Sequence, residues 1–136
     1  MAYSESQPTV TLIAETTFGT TDLYKFVSIS TANARVSISA SIHPAHVVGT
    51  LLSETYTTST GANESVTIGL LRGVGKVRMA VSTLDAGALI AASSSGFGVA
   101  PTTLLAALGY IVEGASTSVG RINSVLFVQN AGSTTL

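Results

Sequence analysis

Three stretches of the chain alternate apolar and polar residues with a period of two: Ala34-Arg35-Val36-Ser37-Ile38-Ser39-Ala40-Ser41-Ile42, Val66-Thr67-Ile68-Gly69-Leu70, and Lys76-Val77-Arg78-Met79-Ala80-Val81-Ser82. Successive side chains of a strand point to opposite faces, so this pattern is that of a half-buried β-strand and not of a helix. It sends Val36, Ile38 and Ile42 into a core and turns Arg35, Ser37, Ser39 and Ser41 outward. The fold class expected is therefore all-β, a small β-barrel or β-sandwich of about eight short strands with at most one short helix.

A chain of 136 residues fits one domain and can bury a hydrophobic core without covalent staples. Its residues are 46% hydrophobic and only 10% charged, where an average chain carries about 25% charged residues. The mean hydropathy is +0.51. Thirty-seven Ser and Thr residues supply polarity in place of charge. A surface this poor in charge loses little on desolvation, which suits a chain that assembles with other subunits. The net charge of −1 lacks the basic face that displaces counterions from phosphates, so no nucleic-acid partner is expected. Cysteine is absent, which excludes disulfides and thiolate chemistry. Met1 to Pro8 has neither a basic start nor an apolar run and does not read as a secretory signal. The longest apolar run, Leu104 to Val112, falls far short of the ~20 residues a membrane helix needs, so no membrane partner is expected.

Along the chain, residues 1–21 read as an extended N-terminal arm, 22–128 as the β domain and 129–136 as a C-terminal tail. Within the arm, Thr9-Val10-Thr11-Leu12-Ile13 is β-branched and able to pair as a strand. Further strands are expected at Tyr24–Ser30, Ala34–Ile42, His46–Ser53, Ser65–Leu71, Lys76–Ser82, Ala88–Ala92, Leu108–Glu113 and Ile122–Val128, with Gly, Asn and Asp in the turns between them. Tyr24–Ile29 and Val125–Val128 are apolar on both parities, which predicts strands covered on both faces. Thr102–Leu108 could form one helical turn, and no internal repeat of fixed period is visible.

The sequence offers little chemistry. His43 and His46 flank Pro44 in what reads as a bend, and a metal would need a third ligand from elsewhere. No G-x-S-x-G elbow is present, and Gly73-Val74-Gly75-Lys76 lacks the ending of a phosphate loop. Asn63-Glu64-Ser65 matches a glycosylation pattern expected by chance in so Ser-rich a chain. Tyr24, Phe26, Phe97 and Phe127 are expected in the core. Arg72, Lys76 and Arg78 gather half of the six basic residues, either as a solvated face or as a contact for an acidic partner surface. No catalytic residue, cofactor or metal is expected.

Taken in order, Leu23–Ile29, His46-Val47-Val48-Gly49-Thr50-Leu51-Leu52, Val66–Leu70, Gly73–Val77, Leu108-Gly109-Tyr110-Ile111-Val112-Glu113 and Val125–Val128 resemble the capsid cement, or head decoration, proteins of tailed bacteriophages. The chain departs from that pattern with Asp85-Ala86-Gly87 in place of Ala-Gly-Asp and with a longer loop at Tyr56–Asn63. The resemblance implies a non-enzymatic homotrimer on the outer surface of the virion head, bridging neighbouring copies of the major capsid protein. On that expectation, Thr9, Val10, Thr11, Leu12 and Ile13 of the arm and the basic trio Arg72, Lys76 and Arg78 are the candidate capsid contacts. The alternative readings are another virion structural module, such as a tail or fibre domain, and a carbohydrate-binding or hydrolytic β domain. The last is disfavoured by the absence of Trp.

Overall fold

A computed structural model describes residues 7–30, 33–38, 47–55, 64–80, 84–102, 107–113 and 120–128. Among them lie ten strands: β1 (Thr9–Ile13), β2 (Phe26–Ile29), β3 (Val36–Ile38), β4 (Val47–Leu51), β5 (Ser65–Leu70), β6 (Gly73–Arg78), β7 (Leu89–Ala92), β8 (Gly98–Val99), β9 (Gly109–Glu113) and β10 (Ile122–Phe127). The all-β expectation holds. The only helix among the described residues is a single 3-10 turn at Thr20–Asp22. His43, His46, Asn63 and the centre of the expected helical turn lie outside the described residues.

The strands form two five-stranded sheets, ordered β1-β5-β4-β2-β3 and β6-β10-β9-β7-β8, with every ladder antiparallel. Each sheet also rolls up on itself. Ala14, just beyond β1, makes a parallel bridge to Val36 of β3, and Met79, just beyond β6, makes one to Gly98 of β8. A closed ring with an odd number of strands cannot be antiparallel all the way round, so one parallel seam is the topological requirement for closure. Glu15 N–H donates to Val36 O at 2.9 Å across the first seam, and Ala80 N–H to Gly98 O at 3.0 Å across the second.

The two barrels are copies of one design. Strand order is the same, and the registers superimpose: Thr9↔Gly69↔Thr50↔Phe26 in the first corresponds to Val74↔Leu126↔Tyr110↔Leu89 in the second. The turns correspond as well. Tyr24 N–H donates to Leu51 O as Gly87 N–H does to Ile111 O, and Lys25 N–H to Asp22 O as Ala88 N–H does to Asp85 O. Ala34 N–H donates to Ser30 O and Gly96 N–H to Ser93 O, both at 3.0 Å. Even the left-handed backbone recurs, at Tyr24 (φ 66°) and Gly87 (φ 88°), and at Ala34 (φ 57°) and Gly96 (φ 81°). Gly49 and Gly109 are equivalent too: a Cβ on either would run into the neighbouring strand's carbonyl oxygen, Gly69 O or Leu126 O. The separation of equivalent residues shrinks along the chain, from Ala14/Met79 to Gly69/Leu126, which is why no fixed period is visible in the sequence.

Two cores result. Ala14, Phe18, Val27, Val36, Leu51, Val66 and Ile68 fill the first barrel, with Val10 and Leu12 of β1 packed against them. Val77, Met79, Ile90, Ala92, Leu108, Ile111, Val125 and Phe127 fill the second, joined by Phe26 and Val47 from the first barrel's strands. Phe26 meets Phe127 edge-on, with ring centroids 6.3 Å apart and planes at 72°. β2 is thus covered on both faces, as its apolar parity predicts: Phe26 enters one core and Val27 the other. β10 departs from the same expectation. Val125 and Phe127 are buried, but Leu126 and Val128 are 37% and 38% exposed, because the outer side of the second barrel has no further layer against it among the described residues.

Candidate interaction surface

The segment Thr9–Ile13 is a strand of the first barrel, paired with β5 from Thr9↔Gly69 to Ile13↔Ser65. Pairing fixes which of its side chains reach outward. Val10 and Leu12 lie against the first core, while Thr9, Thr11 and Ile13 are exposed. Ahead of β1, Gln7 lays its side chain over Gly69 of β5 and Gly75 of β6, where a Cβ would meet its amide at 2.5 and 2.7 Å. Its Nε2 donates to Leu70 O at 2.8 Å, tying the start of the chain to the corner where β5 passes into β6.

The basic trio divides. Arg72, in the two-residue corner Leu71-Arg72, and Lys76 on β6 are exposed. Arg78 turns back toward the chain: its Nε donates to Leu23 O at 3.0 Å, Nη1 to Gly120 O at 3.3 Å and Nη2 to Thr20 O at 3.5 Å. With Arg78 N–H donating to Tyr24 O at 2.9 Å, this residue clasps the second barrel to the Thr20–Tyr24 turn of the first. A guanidinium suits the task because its fork presents several donors at once. Lys25 sits nearby, 3.0 Å from the Asp22 carboxylate and 4.7 Å above the Phe97 ring, another link between the halves.

Lys76 also borders a pocket of about 260 Å³ lined by Gln7, Tyr24 and Leu52. Among the described residues it brings an ammonium, an amide and a phenol to the junction of the barrels. Among the described residues no group of three His, Cys, Asp or Glu side chains converges as a metal site would require. No described helix is long and apolar enough to cross a membrane. Outward the described residues present hydroxyls and an isoleucine on β1, the cations Arg72 and Lys76, and a band of apolar side chains on the second barrel's outer face.

That apolar band was not legible beforehand. Val74, Leu126, Tyr110 and Leu89 face the same way as cross-strand neighbours on β6, β10, β9 and β7. Only the pairing of four strands far apart in sequence makes them one surface, and the single-strand signal at Val125–Val128 points instead to full burial.

No protein-family model matches the sequence, and no curated protein matches it. Among solved structures the chain is similar to that described as "The crystal structure of head fiber gp8.5 N base in bacteriophage phi29", with a TM-score of 0.64 and 15% identity over 92% of this chain and 96% of that one. At that identity the similarity is one of fold.

Proposed function

We propose that the chain is a non-enzymatic structural module of a phage virion, seated on the outer surface of the head in the manner of a fibre base. The observation that carries this reading is the fold likeness to the head fibre base over nearly the full length of both chains. It agrees with a composition of 10% charged residues, suited to assembly. Of the two structural readings of the sequence, the fibre-type module is better supported than capsid cement, since the fold likeness is to a head fibre base.

In this reading the module binds the major capsid protein as a homotrimer, through the exposed β1 side chains Thr9 and Thr11 and the cations Arg72 and Lys76. Repeated modest contacts in an oligomer raise the effective concentration of those not yet made. Charge at Arg72 and Lys76 steers docking more than it adds affinity, so binding should weaken as salt rises. The test is co-sedimentation of the purified protein with heads assembled without it, followed by electron microscopy of the particles. Density on the outer head surface is the expected result. Density confined to the tail, or no binding at any protein concentration, would overturn the proposal.

A further inference from the structure

The repeat has a consequence for assembly, because its two copies meet head to tail. Equivalent surfaces are not apposed. The outer row Thr9-Gly69-Thr50-Phe26 of the first barrel is turned toward the second, with Thr50 and Phe26 fully buried and Phe26 inside the second core. The second barrel approaches through its β6 edge and its Ser93–Phe97 turn: Arg78 N–H donates to Tyr24 O at 2.9 Å, and Phe26 N–H donates to Gly96 O at 2.7 Å. The matching row on the second barrel, Val74-Leu126-Tyr110-Leu89, carries Leu126 at 37% exposure. The surfaces on the first barrel that match the approaching ones are the β1 edge, where Ile13 stands in Arg78's place at 38% exposure, and the turn at Ala34. One surface of each kind is therefore used inside the chain, and among the described residues one of each kind is left uncovered.

We propose that the left-over pair is an interface between copies of this chain: the Leu126 face of one copy receives the Ile13 edge and the Ala34 turn of the next, repeating the contact between the barrels. In this arrangement Ile13 N–H of one copy donates to Gly87 O of its neighbour, and Leu89 N–H donates to the neighbour's Ala34 O. Leu126 occupies on the second barrel the position of Gly69, which the Gln7 side chain covers in the first. An apolar side chain there is what a second copy would bury. Contacts of this heterologous kind close into rings and do not stop at two-fold dimers. The inference rests on the reading that the chain works as an oligomer and is independent of attachment to a head.

The contact between barrels supplies the test. A Cβ at Gly96 would lie 3.2 Å from Lys25 Cβ, near the roughly 3.5–4.5 Å separation of disulfide-bonded Cβ atoms. The equivalent positions are Ala34 and Ala88, and the chain has no native cysteine to interfere. The double variant Ala34→Cys/Ala88→Cys should give covalent oligomers under mild oxidation, whereas an equimolar mixture of the two single variants should stop at linked pairs. Separately, Leu126→Asp and Ile13→Asp should each reduce the solution mass from oligomer to monomer while circular dichroism stays that of the parent, since both side chains project outward. A parent that is monomeric at all concentrations, a double variant that stays monomeric on oxidation, or an oligomer mass unmoved by both Asp variants would overturn the interface, and none of these outcomes bears on binding to heads.

Discussion

Phe26 belongs by strand to the first barrel and by packing to the second core, so truncating it probes whether the two halves fold as one unit. The side chain is fully buried and its ring stands edge-on to Phe127 at 6.3 Å. Phe→Ala at such a site loses the transfer free energy of the ring and leaves a cavity, together about 3–5 kcal/mol. That is a large share of the roughly 5–15 kcal/mol by which a native domain outweighs its unfolded chain. Urea unfolding at fixed protein concentration, followed in parallel by far-ultraviolet circular dichroism and tyrosine fluorescence, should show one coincident transition for the parent protein. Phe26→Ala should move the whole of that transition to lower urea without splitting it. A double-mutant cycle with Phe26→Leu and Phe127→Leu should return a coupling of roughly 0.5–1.5 kcal/mol for the aromatic pair. Two separate transitions in the parent, or a loss below about 1 kcal/mol in Phe26→Ala, would refute the argument that the second core depends on the first barrel.

The repeat predicts paired outcomes: Gly49→Ala and Gly109→Ala should each cost about 1–3 kcal/mol or more in urea unfolding, to similar extents, because in both the added methyl meets a strand carbonyl that cannot yield. Ala34→Gly should stabilise by roughly 0.5–1 kcal/mol, as its φ of 57° is one that glycine adopts without penalty and Gly96 already occupies the matching place. The Thr50 hydroxyl is buried without a hydrogen-bond partner among the described residues, so Thr50→Val should raise stability by about 1 kcal/mol, read as a higher urea midpoint at unchanged slope. Arg78→Lys should lose about 1–2 kcal/mol, because an ammonium cannot reach the carbonyls of Leu23, Gly120 and Thr20 together. A midpoint unchanged by Arg78→Lys would show that the clasp is not what holds that turn.

The sequence revealed whatever could be decided within one strand. Alternation at Val66–Leu70 and Lys76–Met79 placed Val66, Ile68, Val77 and Met79 inward, and the double apolar parity of Phe26-Val27 anticipated a strand between two cores. β8 escaped notice because two residues cannot show a period. The duplication escaped because its equivalences lie in backbone geometry and not in residue type: Tyr24 turns the chain where Gly87 does, and Ala34 where Gly96 does. The direction of Leu126 was hidden for another reason. An apolar residue outside a barrel and one inside it look alike until the neighbouring strands say which side is full.

The parallel seams bear on how the molecule breathes. Antiparallel ladders such as β1 with β5 run for five residue pairs, whereas each ring is stitched shut by an isolated bridge at Ala14/Val36 or Met79/Gly98. Thermal opening that begins at such a stitch loses little hydrogen bonding and leaves the longer ladders whole, so amide exchange at Glu15 and Ala80 should outpace that of residues central to β5 and β10. Under load the molecule would then yield first at these two seams and reseal along the same lines.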